Sequence, residues 1–379
     1  MAQGELDELA TRLIAPLRVG DTLAGAELVS VTADLALQYV FTAAGTTACI
    51  EVMPRQGARA ERVLTTHFAL GHRGGTMDPV AALTLCRAVA ERIAANEHDV
   101  VTQLRVSANA DHGARVREIR GGRALIASVQ GPPHYALSPY RGCTIGCRFC
   151  YAQSRLQPLR ALLGLAAAPW GSWVDAHVDL PQRLAGELEH FDRAPIKFCP
   201  VVADPYQSAE RQLRITRGCV EAIARSSRVW PTLVLTRAHQ ILDDVALWST
   251  LPRAWVGVSL PTADDRVRRH FEPRAASVAE RIDVLRRFAA VNVPTFAVVQ
   301  PLLPGDVDTL ADALAFATAG VALGTLEGEE QAGPLFDTAE FGAARSASWQ
   351  DQQRARLRDA LHARGVTVWT GEFPPGALA

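Results

Sequence analysis

The sequence predicts an α/β protein, a partial (β/α)6 TIM-type barrel preceded by a small α+β domain. Three observations carry that expectation. Downstream of residue 170, short apolar, β-branched runs recur at 173–178, 196–201, 232–236, 255–260, 295–301 and 321–326. Helical runs fill the gaps, for example 208–224, 279–290 and 309–319. Repeated βα units imply parallel strands with helices outside, and six units fall short of the eight that close a full barrel. Upstream of residue 106 the order changes to several strands followed by one helix, the pattern of a separate α+β unit.

That first unit spans 1–106. Strand-like runs at 36–43 and 47–53 flank a turn at Gly45, and a third run, 62–70, follows a polar loop. Pro79 opens a helix to about residue 97, with Leu83, Cys86, Ala90 and Ile93 at three-to-four spacing on one face. Cys86 on that stripe and Cys49 in its strand read as small core residues. Cys219, in step with Ile215 and Ile223 on a later helix, reads the same way. Residues 107–134 form the join, where Gly121-Gly122 predicts a hairpin between 116–119 and 124–129. The barrel then occupies 135–335. Residues 336–379 add a helix at 349–364, a short strand at 366–370 and a Pro-Pro-containing tail.

Composition narrows the class. The chain has 379 residues, 48% hydrophobic and 21% charged, which describes an ordinary globular protein. The net charge of −1 gives no global electrostatic case for nucleic acid or an anionic membrane. Seven cysteines, three of them clustered, do not make a disulfide framework. No apolar run approaches the roughly 18 residues of a membrane span. The opening residues, 1–17, lack the basic and apolar regions of a signal peptide. A cytoplasmic protein in a reducing compartment is the expectation.

The densest chemistry lies in Pro139-Tyr140-Arg141-Gly142-Cys143-Thr144-Ile145-Gly146-Cys147-Arg148-Phe149-Cys150-Tyr151. Three thiolates at C-x3-C-x2-C spacing can turn inward around one small inorganic cluster. Three ligands are one short of a closed [4Fe–4S] or zinc site, which leaves one metal position open to another molecule. A structural zinc site completed by His134 is the plain alternative.

This run resembles the radical SAM superfamily, whose pattern is C-x3-C-x-aromatic-C. The resemblance implies a [4Fe–4S] cluster on Cys143, Cys147 and Cys150, with S-adenosylmethionine (SAM) chelating the open iron and Phe149 packing on the adenine. Tyr151, directly after the third cysteine, joins the implied cofactor contacts. Asp204-Pro205-Tyr206-Gln207 with Glu210, Ser259, Glu272-Pro273-Arg274 and Pro301-Leu302-Leu303-Pro304-Gly305 narrow the resemblance to the spore-photoproduct-lyase-like branch. It covers roughly residues 135–320. It implies SAM contacts at Asp204, Ser259, Arg274 and Leu303. Each also has a structural reading: Asp204 and Gln207 as a capping pair, Ser259 bonding a strand end, Arg274 on the surface, and Leu303 as an apolar filler.

Two departures from that branch stand out. His177 occupies the place of a lysine in a Val-Lys-x-Asn stretch that relatives commonly show, so any SAM contact there would depend on pH. The hydrogen-donor cysteine of spore photoproduct lyase corresponds to Val201, which argues against thymine-dimer repair. Strand alternation turns Lys197 and Cys199 toward the lumen, making Cys199 a candidate hydrogen donor or a small filler. Glu327, Glu329 and Glu330 line the substrate mouth or form a solvated acidic loop.

The sequence therefore predicts a radical SAM enzyme acting on an unidentified substrate, served by a reductant such as flavodoxin or ferredoxin. The alternatives are a nucleic-acid repair protein, disfavoured by the charge balance, and a non-catalytic zinc protein.

Overall fold

Two units pack against each other in the computed structural model, which describes residues 5–33, 36–55, 62–108, 116–128, 131–165, 168–198, 202–324, 336, 338, 340–371 and 373–378. The first opens with helix α1 (Glu5–Leu13). Strands β1 (Thr22–Leu23), β2 (Ala26–Ala33), β3 (Leu37–Ala43), β4 (Thr46–Pro54), β5 (Val63–Leu64) and β6 (Phe68–Gly75) follow. They form one antiparallel sheet in the order β1-β2-β3-β4-β6-β5. Along β3, Leu37, Tyr39 and Phe41 alternate into the core, as a half-buried strand requires. The Tyr39 hydroxyl donates to the Ala10 carbonyl at 2.8 Å, fastening α1 to the sheet. Helix α2 (Pro79–Ala108) runs about ten residues beyond the expected end and packs on α1.

The second unit carries β7 (Val116–Ile119), β8 (Ile126–Ala127), β9 (Tyr135–Leu137), β10 (Tyr140–Arg141), α3 (Ala152–Leu162), β11 (Val174–His177), α4 (Leu180–His190), β12 (Ile196–Phe198), α5 (Glu210–Leu213) and α6 (Ile215–Arg225). It continues with β13 (Thr232–Thr236), α7 (Val245–Trp248), β14 (Ala254–Ser259), α8 (Asp265–Phe271), α9 (Val278–Ala290), β15 (Thr295–Val299), α10 (Val307–Leu314), β16 (Val321–Leu323), α11 (Ala347–Ala363) and β17 (Val368–Trp369). The main sheet runs β8-β9-β12-β13-β14-β15-β16-β17, parallel from β9 onward with β8 as an antiparallel edge. This is the partial barrel. Side-chain caps start its later helices, with a full Ser277/Glu280 capping box on α9 and Asp264 and Asp306 on α8 and α10.

Membership of the sheet differs from the sequence reading. Strand β11, expected as the first barrel strand, joins a separate three-stranded sheet, antiparallel to β10 and parallel to β7. Its Asp175 lies in register with Arg117 of β7, and the two form a buried ion pair at 2.8 Å. Strand β9 fills the vacated barrel place, and β17 adds a parallel strand beyond β16. The hairpin expected at Gly121-Gly122 does not form. The backbone N–H groups of Ala124 and Leu125 donate to the Glu187 carboxylate of α4, which draws the chain into the other sheet. The expected helix 208–224 breaks at Arg214, whose φ of 50° ends α5 and begins α6.

The sheet separates two packed faces. Ile196 and Phe198 point to the helices, Phe198 meeting the Trp248 ring edge-on at 5.7 Å. Lys197 lies in register with Leu233, and Leu233 with Trp255, on the lumen face. The tail closes that lumen from below. Phe373 and Ala377 pack with Leu233, Trp255 and Phe296, while the Lys197 ammonium stands 5.8 Å from the Phe373 ring centre.

The units are joined through α3. Leu159, Leu162, Leu163 and Leu165 belong to the core of the N-terminal unit, although they follow the cysteine motif directly. Buried Glu51 of β4 binds Arg62 and Arg73 of its own unit and Arg155 of α3.

Candidate metal and cofactor site

Strands β9 and β10 deliver the chain to the carboxyl end of the barrel, where the cysteine loop crosses the strand ends. Cys143, Cys147 and Cys150 line one recess with Phe149, Asp204 and Arg237. Asp204 follows β12 and Arg237 follows β13, so the ligand ends of two parallel strands form the wall. Burial, with Asp204 nearby, pushes the Cys143 thiol up to about 12. Burial also lifts Cys147 well above, and Cys150 above, the ordinary thiol value. Soft metal ions would replace those protons, because metal binding requires the thiolate.

The loop is clamped from three sides. Gln207 accepts from the Thr144 N–H at 2.8 Å and the Thr144 hydroxyl at 3.1 Å, and its Nε2 donates to the Gly142 carbonyl at 3.1 Å. Arg274 donates through Nε to the Thr144 carbonyl and through Nη2 to the Gly171 carbonyl at 2.8 Å. Glu210 accepts from the Tyr140 hydroxyl and from the N–H groups of Thr216 and Arg217, at 3.0 and 2.9 Å, which open helix α6. Gly146 and Gly171 make room for the Arg274 clamp. Their φ values are +65° and +92°, and a Cβ would stand 2.4 Å and 2.1 Å from Arg274 Nη2.

Asp204 is satisfied within the protein. Its oxygens accept from the Tyr206 N–H at 2.9 Å, the Thr236 hydroxyl at 2.6 Å and the Arg237 N–H at 2.6 Å. Burial still raises its carboxyl above the ordinary value despite these bonds. The D-P-Y-Q-x-x-E stretch thus knots the loop to the strand ends.

A buried charge chain stands behind the recess. Arg237 donates to Glu272 Oε1 at 2.7 Å, and Arg281 meets Glu272 Oε2 at 2.7 Å while also donating to the Ser259 carbonyl at 2.7 Å. Burial opposes the Arg237 charge, but Cys147 and Glu272 outweigh it and hold the guanidinium protonated. Its Cζ sits 5.8 Å from the Phe149 ring centre. Sequence reasoning passed over Arg237; its place directly after strand 232–236, at the ligand end, was the available signal.

The remaining expected residues scatter. Ser259 ends β14 fully buried, its hydroxyl without a hydrogen-bond partner among the described residues. Tyr151 heads α3 and packs beside Ala152, Leu156, Trp173 and Val202. Leu303 is buried in a small separate pocket with Thr262, Leu302 and Trp349. His177 lies in another cavity, with Ser138 and Arg141. There burial, then Arg141 and Arg183, push its imidazole well below the ordinary value. Cys199, Val201, Glu327, Glu329 and Glu330 lie outside the described residues.

The donor set fits an iron–sulfur cluster. Among the described residues no three His, Cys, Asp or Glu side chains converge closely enough for one metal ion, yet three thiols share a recess. Cysteine thiolates are the usual ligands of an iron–sulfur cluster, and three of them leave one iron of a four-iron cluster without a protein ligand. His134, the proposed fourth zinc ligand, precedes β9 at the opposite end of the strand and packs edge-on against Phe373 at 4.8 Å. No helix of the described residues is long and apolar enough to cross a membrane.

Residues 137–317 match the Radical SAM superfamily. An uncharacterized protein of Methanocaldococcus jannaschii is 24% identical over 46% of this chain and 62% of its own length. One from Mycobacterium tuberculosis is 27% identical over 47% of this chain and 52% of its own length. The Radical SAM Nalpha-GlyT isomerase of Pseudomonas phage M6 is 26% identical over 45% of this chain and 33% of its own length. The chain thus spans less than two thirds of each of these relatives. A spore photoproduct lyase complexed with dinucleoside spore photoproduct aligns over 67% of this chain and 82% of that one, at 14% identity and a TM-score of 0.49.

Proposed function

We propose, from the match of residues 137–317 to the Radical SAM superfamily, that the chain is a radical SAM enzyme in which a [4Fe–4S] cluster and SAM start radical chemistry on a substrate still to be identified. The observation that carries this reading is the convergence of Cys143, Cys147 and Cys150 on one clamped recess. When bound, the cluster supplies the electron that splits SAM into methionine and a 5′-deoxyadenosyl radical.

The protein's own residues do the rest. The three thiols hold the cluster, and Gln207, Glu210 and Arg274 hold the loop that carries them. Arg274 was expected to hold the SAM carboxylate, but its guanidinium is committed to Thr144 and Gly171. Arg237, a cation in the recess wall, takes that role in this reading. Phe149 provides the apolar surface for adenine, and the Ser259 hydroxyl a donor at a strand end. Asp204 supports the site by fixing Arg237 rather than by touching SAM. A flavodoxin- or ferredoxin-type reductant and a cytoplasmic setting complete the proposal.

Anaerobic reconstitution tests it. The protein should gain a cluster signal that changes on adding SAM and should form 5′-deoxyadenosine under reduction. Alanine at Cys143, Cys147 or Cys150 should abolish that product, and SAM cleavage at the unmodified rate in such a variant would sink the proposal.

A further inference from the structure

A second cavity lies where the N-terminal unit meets the root of the cysteine loop. Its volume is about 140 Å³, and its wall includes Asp7 and Thr32 from the first unit and Ser138, Arg141 and His177 from the second. A water molecule takes about 30 Å³ of liquid volume, so the space exceeds a single-water site. Three residues of the lining each carry a buried polar atom, Ser138 Oγ, Arg141 Nε and His177 Nδ1, with no hydrogen-bond partner among the described residues. Their side chains are buried, with residue exposures of 8%, 4% and 6%. One orphaned buried donor costs about 1–3 kcal/mol, and three in residues around one cavity call for an explanation beyond an accident of packing.

The charges around the cavity favour a negative guest. Arg141 and Arg123 line it, and Arg183 reaches its edge by donating to the Gly122 carbonyl at 2.5 Å. Against these three cations stand Asp7, 3.5 Å from Arg141 Nη2, Asp179, 3.2 Å from Arg183 Nε, and Glu187, which accepts from the Ala124 N–H of the wall at 2.9 Å. Among the side chains that line the cavity itself, two arginines face Asp7. Arg141 uses Nη2 on Asp7 and the Ala33 carbonyl, which leaves Nε as a fixed charged donor. Neutral His177 adds a ring N–H in one tautomer, and Ser138 adds a hydroxyl. We propose that this cavity binds a small oxyanion, a phosphate or carboxylate group, held by Arg141, Ser138 and His177 between the two units. Ser138 and Arg141 stand five and two residues before Cys143, so the bound anion braces the start of the cysteine loop against the N-terminal unit. The proposal does not depend on the cluster chemistry.

The test uses the full chain, without added cluster, exchanged into anion-poor buffer. Thermal unfolding is followed against inorganic phosphate and, separately, acetate, with chloride at equal ionic strength as control. A saturable rise in midpoint with phosphate assigns the site to phosphate groups, and one with acetate assigns it to carboxylates. The conservative Ser138→Ala variant should weaken the effective anion at least tenfold, and Ser138→Ala with His177→Phe should remove the effect. Far-UV circular dichroism checks that both variants fold. No saturable rise with either anion, an equal response in the variants, or a crystal structure soaked in the effective anion with only water in the cavity would overturn the proposal.

Discussion

Gln207 grips Thr144 twice, accepting from its backbone N–H at 2.8 Å and its hydroxyl at 3.1 Å. Its amide nitrogen reaches past Cys143 to the Gly142 carbonyl, so one buried side chain brackets the first cysteine. Gln207→Leu keeps the volume and removes all three bonds, leaving the Thr144 N–H unpaired at a cost of about 1–3 kcal/mol. We expect a lower unfolding midpoint and a several-fold fall in iron bound per chain after reconstitution. Full iron loading with only the midpoint lowered would mean the clamp serves the fold and not the cluster.

Arg274 works from the opposite side, and its clamp depends on two glycines. Gly171→Ala drives a methyl to within 2.1 Å of Arg274 Nη2 at a φ of +92°. Backbone strain and the displaced guanidinium should together cost at least about 1 kcal/mol. Arg274→Ala removes that contact and leaves the Gly146 Cα at 2.9 Å, so Gly171→Ala should be milder, though still costly, in that background. A double-mutant cycle read by urea unfolding checks this, and strict additivity would show that Arg274 does not bear on Gly171.

The βα alternation after residue 170 was legible because each parallel strand is a short apolar run bounded by helical spacing. What the sequence hid was partner choice. Strand β11 reads like any barrel strand, and only the register of Asp175 with Arg117, 58 positions apart, draws it into the side sheet. The cysteines were legible because their spacing alone defines the motif. Arg274 was legible as a conspicuous arginine, but its role was not, since the carbonyls it meets carry no sequence signature. Arg237 was hidden for the same reason: its partner Glu272 lies 35 residues away.

Glu51 makes the union of the two units sensitive to acid. Burial alone would raise its carboxyl, but Arg73, Arg155 and Arg62 more than offset that and hold it below the ordinary value. A carboxyl lowered on folding contributes stability that is present above its unfolded pKa of about 4.3 and lost as pH falls through the folded value. Unfolding midpoints should therefore drop as pH falls below about 4.3 and through the folded value. Glu51→Gln should flatten part of that drop while costing about 3 kcal/mol at pH 7, because three arginines lose their shared anion. An unchanged acid profile in Glu51→Gln would place the titration elsewhere.

The last prediction concerns what meets the radical. Lys197 faces the lumen, in register with Leu233 and over the Phe373 ring. Cys199 lies outside the described residues, and its candidacy rests on the period-two alternation of the sequence run 196–201, which would put it on the side of Lys197. A thiol there can give its hydrogen atom to a primary carbon radical: the S–H bond breaks, the C–H bond of 5′-deoxyadenosine forms, and the unpaired electron stays on sulfur. Thiol hydrogens exchange with solvent, so the test needs no knowledge of the substrate. SAM cleavage in D2O should leave deuterium in 5′-deoxyadenosine, and Cys199→Ala should remove that label while cluster content is unchanged. Equal incorporation by both proteins would return Cys199 to the role of a small apolar filler.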